Sequence, residues 1–335
     1  MDQTIRPRFA WVDYAKGICI VAVVMLYATG ETKEVFKSVG WIQYWVDFAK
    51  PFRMPDFFLI SGLFLSRVIE KPLRHYLDRK VIHYVYFYLL WSFLCFLLRL
   101  ATGELHESGV ELLKSFISML VIWPFHQMWF ILMLPVFFLA VRVTRKIPWW
   151  IIFPVACLIN IFPPTHIGKS IIDDFGQRFV FFYAGYAFAP LFFSFADKVS
   201  KHFILSLLGL LVWIGVNSYL VFNGYSQHLA VALILGFAGA CAVISVAALL
   251  QLVRGFEWLR YLGEHSIVIY LPFYWLMVLS SVCFVAVFPH PNLDVFTFTI
   301  TITSILGSVV AFWLFRYRIP MAWFYTRPEC FKLSP

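Results

Sequence analysis

Long apolar runs, separated by short polar connections, dominate the pattern of this chain. Ten of them approach the roughly 20 residues that an α-helix needs to cross the hydrocarbon core of a bilayer. The predicted spans are residues 9–29, 53–70, 80–100, 117–142 in part, 148–164, 177–195, 203–223, 228–251, 264–288 and 296–316. Residues 110–122 are amphipathic and are expected at the membrane interface, before the true fourth span at residues 126–143. The connections are too short to fold alone, so the pattern predicts a single membrane domain over residues 1–335.

The composition supports an all-α, polytopic integral membrane protein. Of the 335 residues, 61% are hydrophobic and 13% are charged, and the mean hydropathy is +0.80. Soluble proteins are nearer 45–50% apolar and 25% charged. The net charge of +9 fits the positive-inside rule better than binding to nucleic acid. With a cytoplasmic N-terminus, most lysines and arginines fall in cytoplasmic connections, which predicts about ten transmembrane helices with both termini in the cytoplasm.

Several classes of site are not expected. The six cysteines are scattered, without a CxxC spacing, so neither a disulfide framework nor a cysteine metal site is predicted. No two histidines have the spacing of metal ligands on one helix face. The motifs of soluble hydrolases, nucleotide-binding proteins and metalloproteases do not occur. No cleavable signal peptide is expected, and no internal repeat supports a repeat-built transporter.

The first predicted helix carries charges within an apolar run. Asp13 and Lys16 are three residues apart and can form a pair, and Tyr27 lies eleven residues after Lys16. Eleven residues are about three helical turns, so Lys16 and Tyr27 share a face about 16 Å apart along the axis. Lys16 is either a snorkelling residue at the cytoplasmic end or a cation at the mouth of a cavity that binds an anionic ligand.

The second span begins with charged residues and ends with small ones. Arg53 and Asp56 open the apolar run, and Ser61 and Gly62 are expected in mid-helix, where another helix or a ligand can approach closely. Arg53 and Asp56 are either a structural ion pair or part of an acceptor-binding site at the outer face.

Further polar groups lie at three predicted helix starts. His126 and Trp129 begin the fourth span, either as part of an aromatic belt or with a titratable imidazole at the level of Tyr27. Arg178 follows two acids and can bind sugar hydroxyl groups or belong to a solvated helix cap. Glu264 and Ser266 lie in a Gly-Glu-His-Ser sequence, where they serve either capping and packing or chemistry.

The chain resembles the membrane acyltransferase 3 family, which contains O-antigen acetylases and glucan succinyltransferases. The resemblance follows the whole chain in order. The matching segments are residues 13–17 (DYAKG), 54–62 (MPDFFLISG), 79–80 (Arg79 and Lys80) before an aromatic span with Trp91, 128–130 (MWF), 182–186 (FYAGY) and 261–266 (YLGEHS).

This resemblance implies a multi-pass protein of the bacterial inner (cytoplasmic) membrane that transfers an acyl group, acetyl or succinyl. The donor would be acyl-CoA, a co-substrate that enters from the cytoplasmic side near Lys16, Arg79 and Lys80; no bound cofactor is expected. The acceptor would be a hydroxyl group of an envelope glycan or a lipid-linked sugar, held by Arg53, Asp56 and Arg178. Ser61, Trp129 and Ser266 complete the expected substrate-binding residues, and membrane lipids are the other partners.

One position departs from the family pattern. The family has a basic residue and a catalytic histidine eleven residues apart on the first helix; Lys16 matches the basic residue, but Tyr27 stands at the histidine position. A phenol has an ordinary pKa of about 10 and is a poor base at neutral pH. Either Tyr27 orients the acceptor while His126 or Glu264 removes the proton, or the catalytic position is substituted, or the chain binds without turnover.

The predicted catalytic residues are therefore Tyr27, Lys16, Asp13, His126 and Glu264. Two rival functions remain open. An inactive family member would act as a carrier, exporter or sensor of an acylated glycan, as the tyrosine favours. An unrelated secondary transporter would couple flux to an ion gradient, but it leaves the ordered motifs unexplained.

Overall fold

The computed structural model describes residues 9–101, 103, 109–121, 127–162, 171–318 and 321–333. In this part of the chain all regular structure is helical, which confirms the predicted all-α class. The helices are α1 (Ala10–Phe36), α2 (Ile42–Ala49), α3 (Arg53–Gly62), α4 (Leu73–Leu77), α5 (His83–Ala101), α6 (Val110–Val121), α7 (Trp129–Thr144), α8 (Trp149–Ile161), α9 (Ile171–Ala187), α10 (Ala189–Lys201), α11 (Phe203–Phe222), α12 (Leu229–Leu250), α13 (Glu257–Glu264), α14 (Ser266–Tyr270), α15 (Phe273–Val287) and α16 (Leu293–Tyr317). A π-helical turn, Asp78–Ile82, joins α4 and α5 into one continuous helix.

Five helices of the described chain are long and apolar enough to cross a membrane. They are Ala10–Phe36, Leu73–Ala101, Phe203–Phe222, Leu229–Leu250 and Leu293–Tyr317. The pair α9 and α10 makes a sixth candidate if it is counted as one broken span, and α7, α8 and α15 are apolar but shorter. Length and composition thus support a multi-pass membrane protein, while the count of ten spans and the orientation of the termini stay predictions.

The first helix is longer than its predicted span. It continues past residue 29 to Phe36 and ends where Lys37 adopts a left-handed conformation with φ 53°. Thr29 and Thr32 lie in this part of the helix, and their hydroxyl groups donate to the carbonyl oxygens four residues earlier. Threonine satisfied in this way can lie on a buried helix face, and both residues are buried.

The second predicted span, residues 53–70, is a short helix. Its ten residues rise about 15 Å, roughly half of a hydrocarbon core. The helix ends at Gly62, so Ser61 and Gly62 are terminal rather than in mid-helix as predicted. The expected close approach is present: a β-carbon at Gly62 would overlap the Phe182 carbonyl oxygen of α9.

Prolines interrupt two other predicted spans. The segment 177–195 is broken at Phe188, and Pro190 lies in the first turn of α10. The segment 264–288 is broken between α14 and α15, where Leu271 and Pro272 form a turn. Proline lacks the N–H that continues a helical ladder and clashes with the preceding turn, which accounts for both breaks.

Helix packing divides the chain into two compact units. The first unit comprises Met1–Ile60 and Phe188–Ser308, and the second comprises Ser61–Ala187 and Val309–Pro335. In the first unit α1 is the common neighbour of α2, α12, α13, α14 and α15, while α12 also packs against α10 and α11. In the second unit α7 packs against α5 and α9, and α8 packs against α9.

Candidate functional site

The N-terminal half of α1 is in close contact with α13. A β-carbon at Gly17 would overlap the Leu259 carbonyl oxygen, and one at Gly263 would overlap the Asp13 carbonyl oxygen. Two predicted segments, residues 13–17 and 261–266, are therefore one packed structure in the first unit. Small residues make such close helix contacts possible within membranes.

The predicted catalytic residues Asp13, Lys16 and Glu264 all belong to this contact region. Asp13 is buried, and Lys16 lies half-buried one turn later. Glu264 follows the point of contact at Gly263 immediately, and its carboxylate forms an ion pair with Arg260 at 3.2 Å. The contact of α1 with α13 thus brings the segment of Asp13 and Lys16 to that of Glu264, about 250 residues further along the chain.

Tyr27 lies eleven residues after Lys16 on the same helix, nine residues before its end at Phe36. Its ring makes edge contacts with Phe273 and Tyr274 of α15, with centroid distances of 5.3 and 6.2 Å. It also packs against the buried cluster that contains Ala28 and Phe296. Tyr27 is therefore fixed by aromatic packing at the histidine position of the family pattern.

Arg53 connects α3 to this aromatic end of the site. Its side chain is buried, and the Nη1 group donates a hydrogen bond of 3.3 Å to the Val46 carbonyl oxygen of α2. The guanidinium lies within electrostatic range of the Tyr27 hydroxyl and of the Asp47 carboxylate. Its Nε group has no hydrogen-bond partner in the part of the chain that the structure describes. Arg53 thus places a positive charge within electrostatic range of Tyr27.

Asp56 is the most unusual polar group of the first unit. The residue is 2% exposed, and among the described residues neither carboxylate oxygen has a hydrogen-bond partner. Cys19 of α1 and Cys241 of α12 lie within electrostatic range of it. A buried carboxyl group without partners is destabilising, which makes Asp56 a candidate functional residue. No local sequence pattern predicts the two thiols, because Cys241 comes within electrostatic range of Asp56 through the packing of α12.

Ser266 and Ser61 complete the small polar residues of the prediction. Ser266 is buried at the start of α14, in the first unit. Ser61 is half-buried at the end of α3, beside the close contact that Gly62 makes with α9 in the second unit.

In the second unit Arg178 and Trp129 are direct neighbours. The guanidinium lies 4.4 Å from the centroid of the Trp129 ring and forms an ion pair with Asp174 one turn earlier. A planar cation on an aromatic face can present its remaining donors to a ligand. His126, the other residue predicted in this region, lies outside the described residues.

Arg79 and Lys80 lie in the π-helical turn, Asp78–Ile82. Arg79 is exposed, whereas the Lys80 ammonium lies 4.7 Å from the centroid of the Phe138 ring. The preceding Asp78 is bound by Arg327 at 2.6 Å. Binding of a donor by Arg79 and Lys80 stays a prediction.

No metal chemistry is indicated by the described residues, in which no three His, Cys, Asp or Glu side chains are grouped to hold an ion. The six cysteines form no disulfide there. The first unit presents Lys16, Arg53 and the buried carboxyl groups of Asp13 and Asp56 on an apolar helical frame. The second unit separately presents Arg79, Lys80 and Arg178.

Comparison with known families then decides the class. The model of the acyltransferase 3 family, described as an acyltransferase domain, matches residues 9–317. The chain belongs to the acyltransferase 3 family. No curated protein matches the chain, and no solved structure matches it.

The contact of α1 with α13 lies within the region that the family model matches. The matched region contains all the predicted segments, from residues 13–17 to residues 261–266. In this acyltransferase-family protein the first of those segments is in contact with the last.

Proposed function

We propose that this protein is an integral-membrane O-acyltransferase. It transfers an acetyl or succinyl group from acyl-CoA to a hydroxyl group of an envelope glycan or a lipid-linked sugar. The match to the acyltransferase family over residues 9–317 is the observation that carries this proposal. The proposal includes ten crossings of the bacterial inner membrane with both termini in the cytoplasm.

The reaction is an attack of the acceptor hydroxyl oxygen on the thioester carbonyl carbon. A carbon–oxygen bond forms and the carbon–sulfur bond breaks. The hydroxyl proton leaves through a base, and coenzyme A departs as a thiol that takes up a proton. General-base assistance and donors that stabilise the developing oxyanion are the contributions a protein makes to such a step.

The charges of the site suit the two substrates. Lys16, Arg79 and Lys80 are assigned to the phosphate groups of the donor, since lysine and arginine both bind phosphate strongly. Arg53 and Asp56 are assigned to the acyl acceptor. Arg53 donates a hydrogen bond to it, and Asp56 accepts a hydrogen bond from its hydroxyl group. Arg178, Trp129, Ser61 and Ser266 are assigned to the sugar, which aromatic faces and hydroxyl groups bind well.

Tyr27 is assigned to orientation of the acceptor. Its packing on Phe273 and Tyr274 holds the ring in place, and Arg53 lies within electrostatic range of its hydroxyl. The proton then goes to His126 or to Glu264. Glu264 lies at the part of α1 that carries Asp13 and Lys16, about 16 Å from Tyr27, so it serves as the base only through intervening water or hydroxyl groups. Full transfer by both His126→Ala and Glu264→Gln would exclude both residues as the base.

Thioester turnover with labelled acetyl-CoA and succinyl-CoA, in the presence of crude envelope glycan, tests the proposal. The proteins to compare are the wild type, Tyr27→His and Tyr27→Phe, of which Tyr27→Phe keeps the aromatic packing and removes only the hydroxyl. Donor-dependent product from the wild type is expected. Absence of product from all three proteins with every donor contradicts the transferase proposal.

Tyr27, at the histidine position of the family pattern, favours a second candidate function. In that function the protein binds an acylated glycan as a carrier, exporter or sensor. That candidate predicts saturable binding of acyl-CoA or glycan by the wild type without turnover. Product from Tyr27→His alone would show that the frame is catalytically competent and that this one residue silences it.

A further inference from the structure

A separate cleft lies between α10, α11 and α12, within the first unit. Its volume is about 460 Å³, within the range of pockets that bind small ligands. Its wall is mostly apolar, and the side chains that give it polarity are few. None of the residues assigned to acyl transfer lines it, so the cleft is distinct from the proposed acyl-transfer site.

The shape of the cleft is elongated along α11. His202 precedes the first turn of α11 and Trp213 lies eleven residues later, and both line the cleft. Eleven residues rise about 16 Å, about half of the hydrocarbon core. Between them Gly209 contributes an open stretch of wall, because a β-carbon there would meet no atom within 4 Å. The cleft thus has the length of a chain that stays within one leaflet.

One end of the cleft is positively charged. Lys198, in the last turn of α10, and His202 line this end, and both are exposed. No acidic side chain is found among the described residues that line the cleft. A basic group at the edge of an apolar cleft between membrane helices is complementary to an anionic lipid headgroup.

The surroundings of the cleft are those of a lipid-facing surface. Only 6% of the most apolar part of α11 is buried inside the protein. Leu205 lines the cleft and is 70% exposed, so the cleft continues onto the outward face of this helix. A side chain of this kind on a membrane-spanning helix contacts acyl chains.

We propose that this cleft binds one acyl chain of an anionic phospholipid, whose phosphate is held by Lys198 and His202. The lipid acyl chain lies along Gly209 and reaches Trp213. The Trp213 ring contacts Phe52 at 5.2 Å, immediately before α3, so the bound lipid supports the segment that carries Arg53. This proposal does not rest on acyl transfer.

Native mass spectrometry of the full-length protein in a mild detergent tests the apolar part of the cleft. Phosphatidylglycerol is titrated into the wild type, Gly209→Leu and Gly215→Leu. A β-carbon at Gly215 also meets nothing within 4 Å, and this residue lies on the same helix outside the cleft, so Gly215→Leu is the matched control. Gly209→Leu is expected to lose the tightest-bound lipid, whereas Gly215→Leu retains it. Equal retention by both variants overturns the proposal.

A second pair of variants tests the headgroup. Lys198 lines the cleft, and Lys201 is an exposed lysine of the same helix that does not. Lys198→Ala is expected to bind phosphatidylglycerol about tenfold more weakly, as loss of one charged hydrogen bond predicts, and Lys201→Ala to bind as the wild type does. Equal binding of phosphatidylcholine and phosphatidylglycerol by the wild type overturns the assignment of an anionic headgroup. Displacement of the lipid by acyl-CoA overturns the assignment to phospholipid and gives the cleft to the donor.

Discussion

Gly263 of α13 lies directly against the Asp13 carbonyl oxygen of α1, so closely that no side chain fits between the two helices. The same contact recurs one turn further along α1, where Gly17 faces the Leu259 carbonyl oxygen. These contacts position Lys16 and Glu264 at a single junction. The family pattern at residues 13–17 and at residues 261–266 therefore describes one three-dimensional feature.

The Gly17 contact is expected to be sensitive to a single methyl group. Gly17→Ala places a β-carbon in the Leu259 carbonyl oxygen, and overpacking of this kind costs about 1–3 kcal/mol of stability. Gly30→Ala, on the same helix, meets nothing within 4 Å and is the matched control. Thermal unfolding in detergent, monitored by size-exclusion chromatography, should show a lower midpoint temperature for Gly17→Ala. The midpoint temperature of Gly30→Ala should be unchanged or slightly higher. Equal midpoints would contradict the packing of α1 on α13.

Asp56→Asn is expected to separate activity from stability. The substitution replaces a buried carboxyl group that has no hydrogen-bond partner among the described residues by a neutral amide of similar shape, so stability should be unchanged or higher. If Asp56 accepts a hydrogen bond from the acyl acceptor, replacing its carboxyl group by an amide weakens that bond and lowers acyl transfer by about ten- to a hundredfold.

The control for Asp56→Asn is Asp197→Asn, which alters an exposed acid of the same unit. Acyl transfer and the thermal midpoint are measured for both variants. Wild-type transfer by Asp56→Asn would remove Asp56 from the proposed acceptor site, whatever its effect on stability.

A hydroxyl pair joins α1 to α16. The Thr32 and Thr297 hydroxyl oxygens are 2.7 Å apart and both residues are buried. A double-mutant cycle with Thr32→Val and Thr297→Val should give a coupling energy of about 0.6 kcal/mol and no more than about 1.7 kcal/mol, the average and the maximum found between membrane helices. The cycle of Thr32→Val with Thr303→Val is the control, because the Thr303 hydroxyl bonds only within its own helix. Additive effects in the first cycle would mean that the Thr32–Thr297 bond contributes nothing.

The segment 321–333 is held to the π-helical turn by Asp78. Arg327 pairs with the Asp78 carboxylate at 2.6 Å, and the Leu333 amide donates to the same carboxylate at 2.8 Å. Arg327→Gln breaks a pair whose arginine side chain is only 6% exposed, and it should make this segment markedly more sensitive to protease. Glu329→Gln, which breaks a largely exposed pair with Lys332, should leave digestion unchanged. If Arg327→Gln is digested as slowly as the wild type, Asp78 does not fix this segment.

The sequence by itself determined the class of the protein and much of its helical pattern. Apolar runs of sufficient length can satisfy their backbone within lipid only as helices or closed barrels, and the runs here have the length of helices. The shared face of Lys16 and Tyr27 also followed from the chain alone, because helical periodicity is local. Family resemblance ordered the motifs but could not show which of them are in contact.

Tertiary structure decided what depends on groups far apart in the chain. The contact of Gly263 with Asp13 and the proximity of Cys241 to Asp56 require α12 and α13 to pack on distant helices, which no local pattern encodes. The shortness of α3 was likewise not predictable from hydropathy, since residues 53–70 are apolar throughout much of their length. Hydropathy is high both for residues that face lipid and for residues that face the protein interior. Only the packing of the helices on one another distinguishes these two environments.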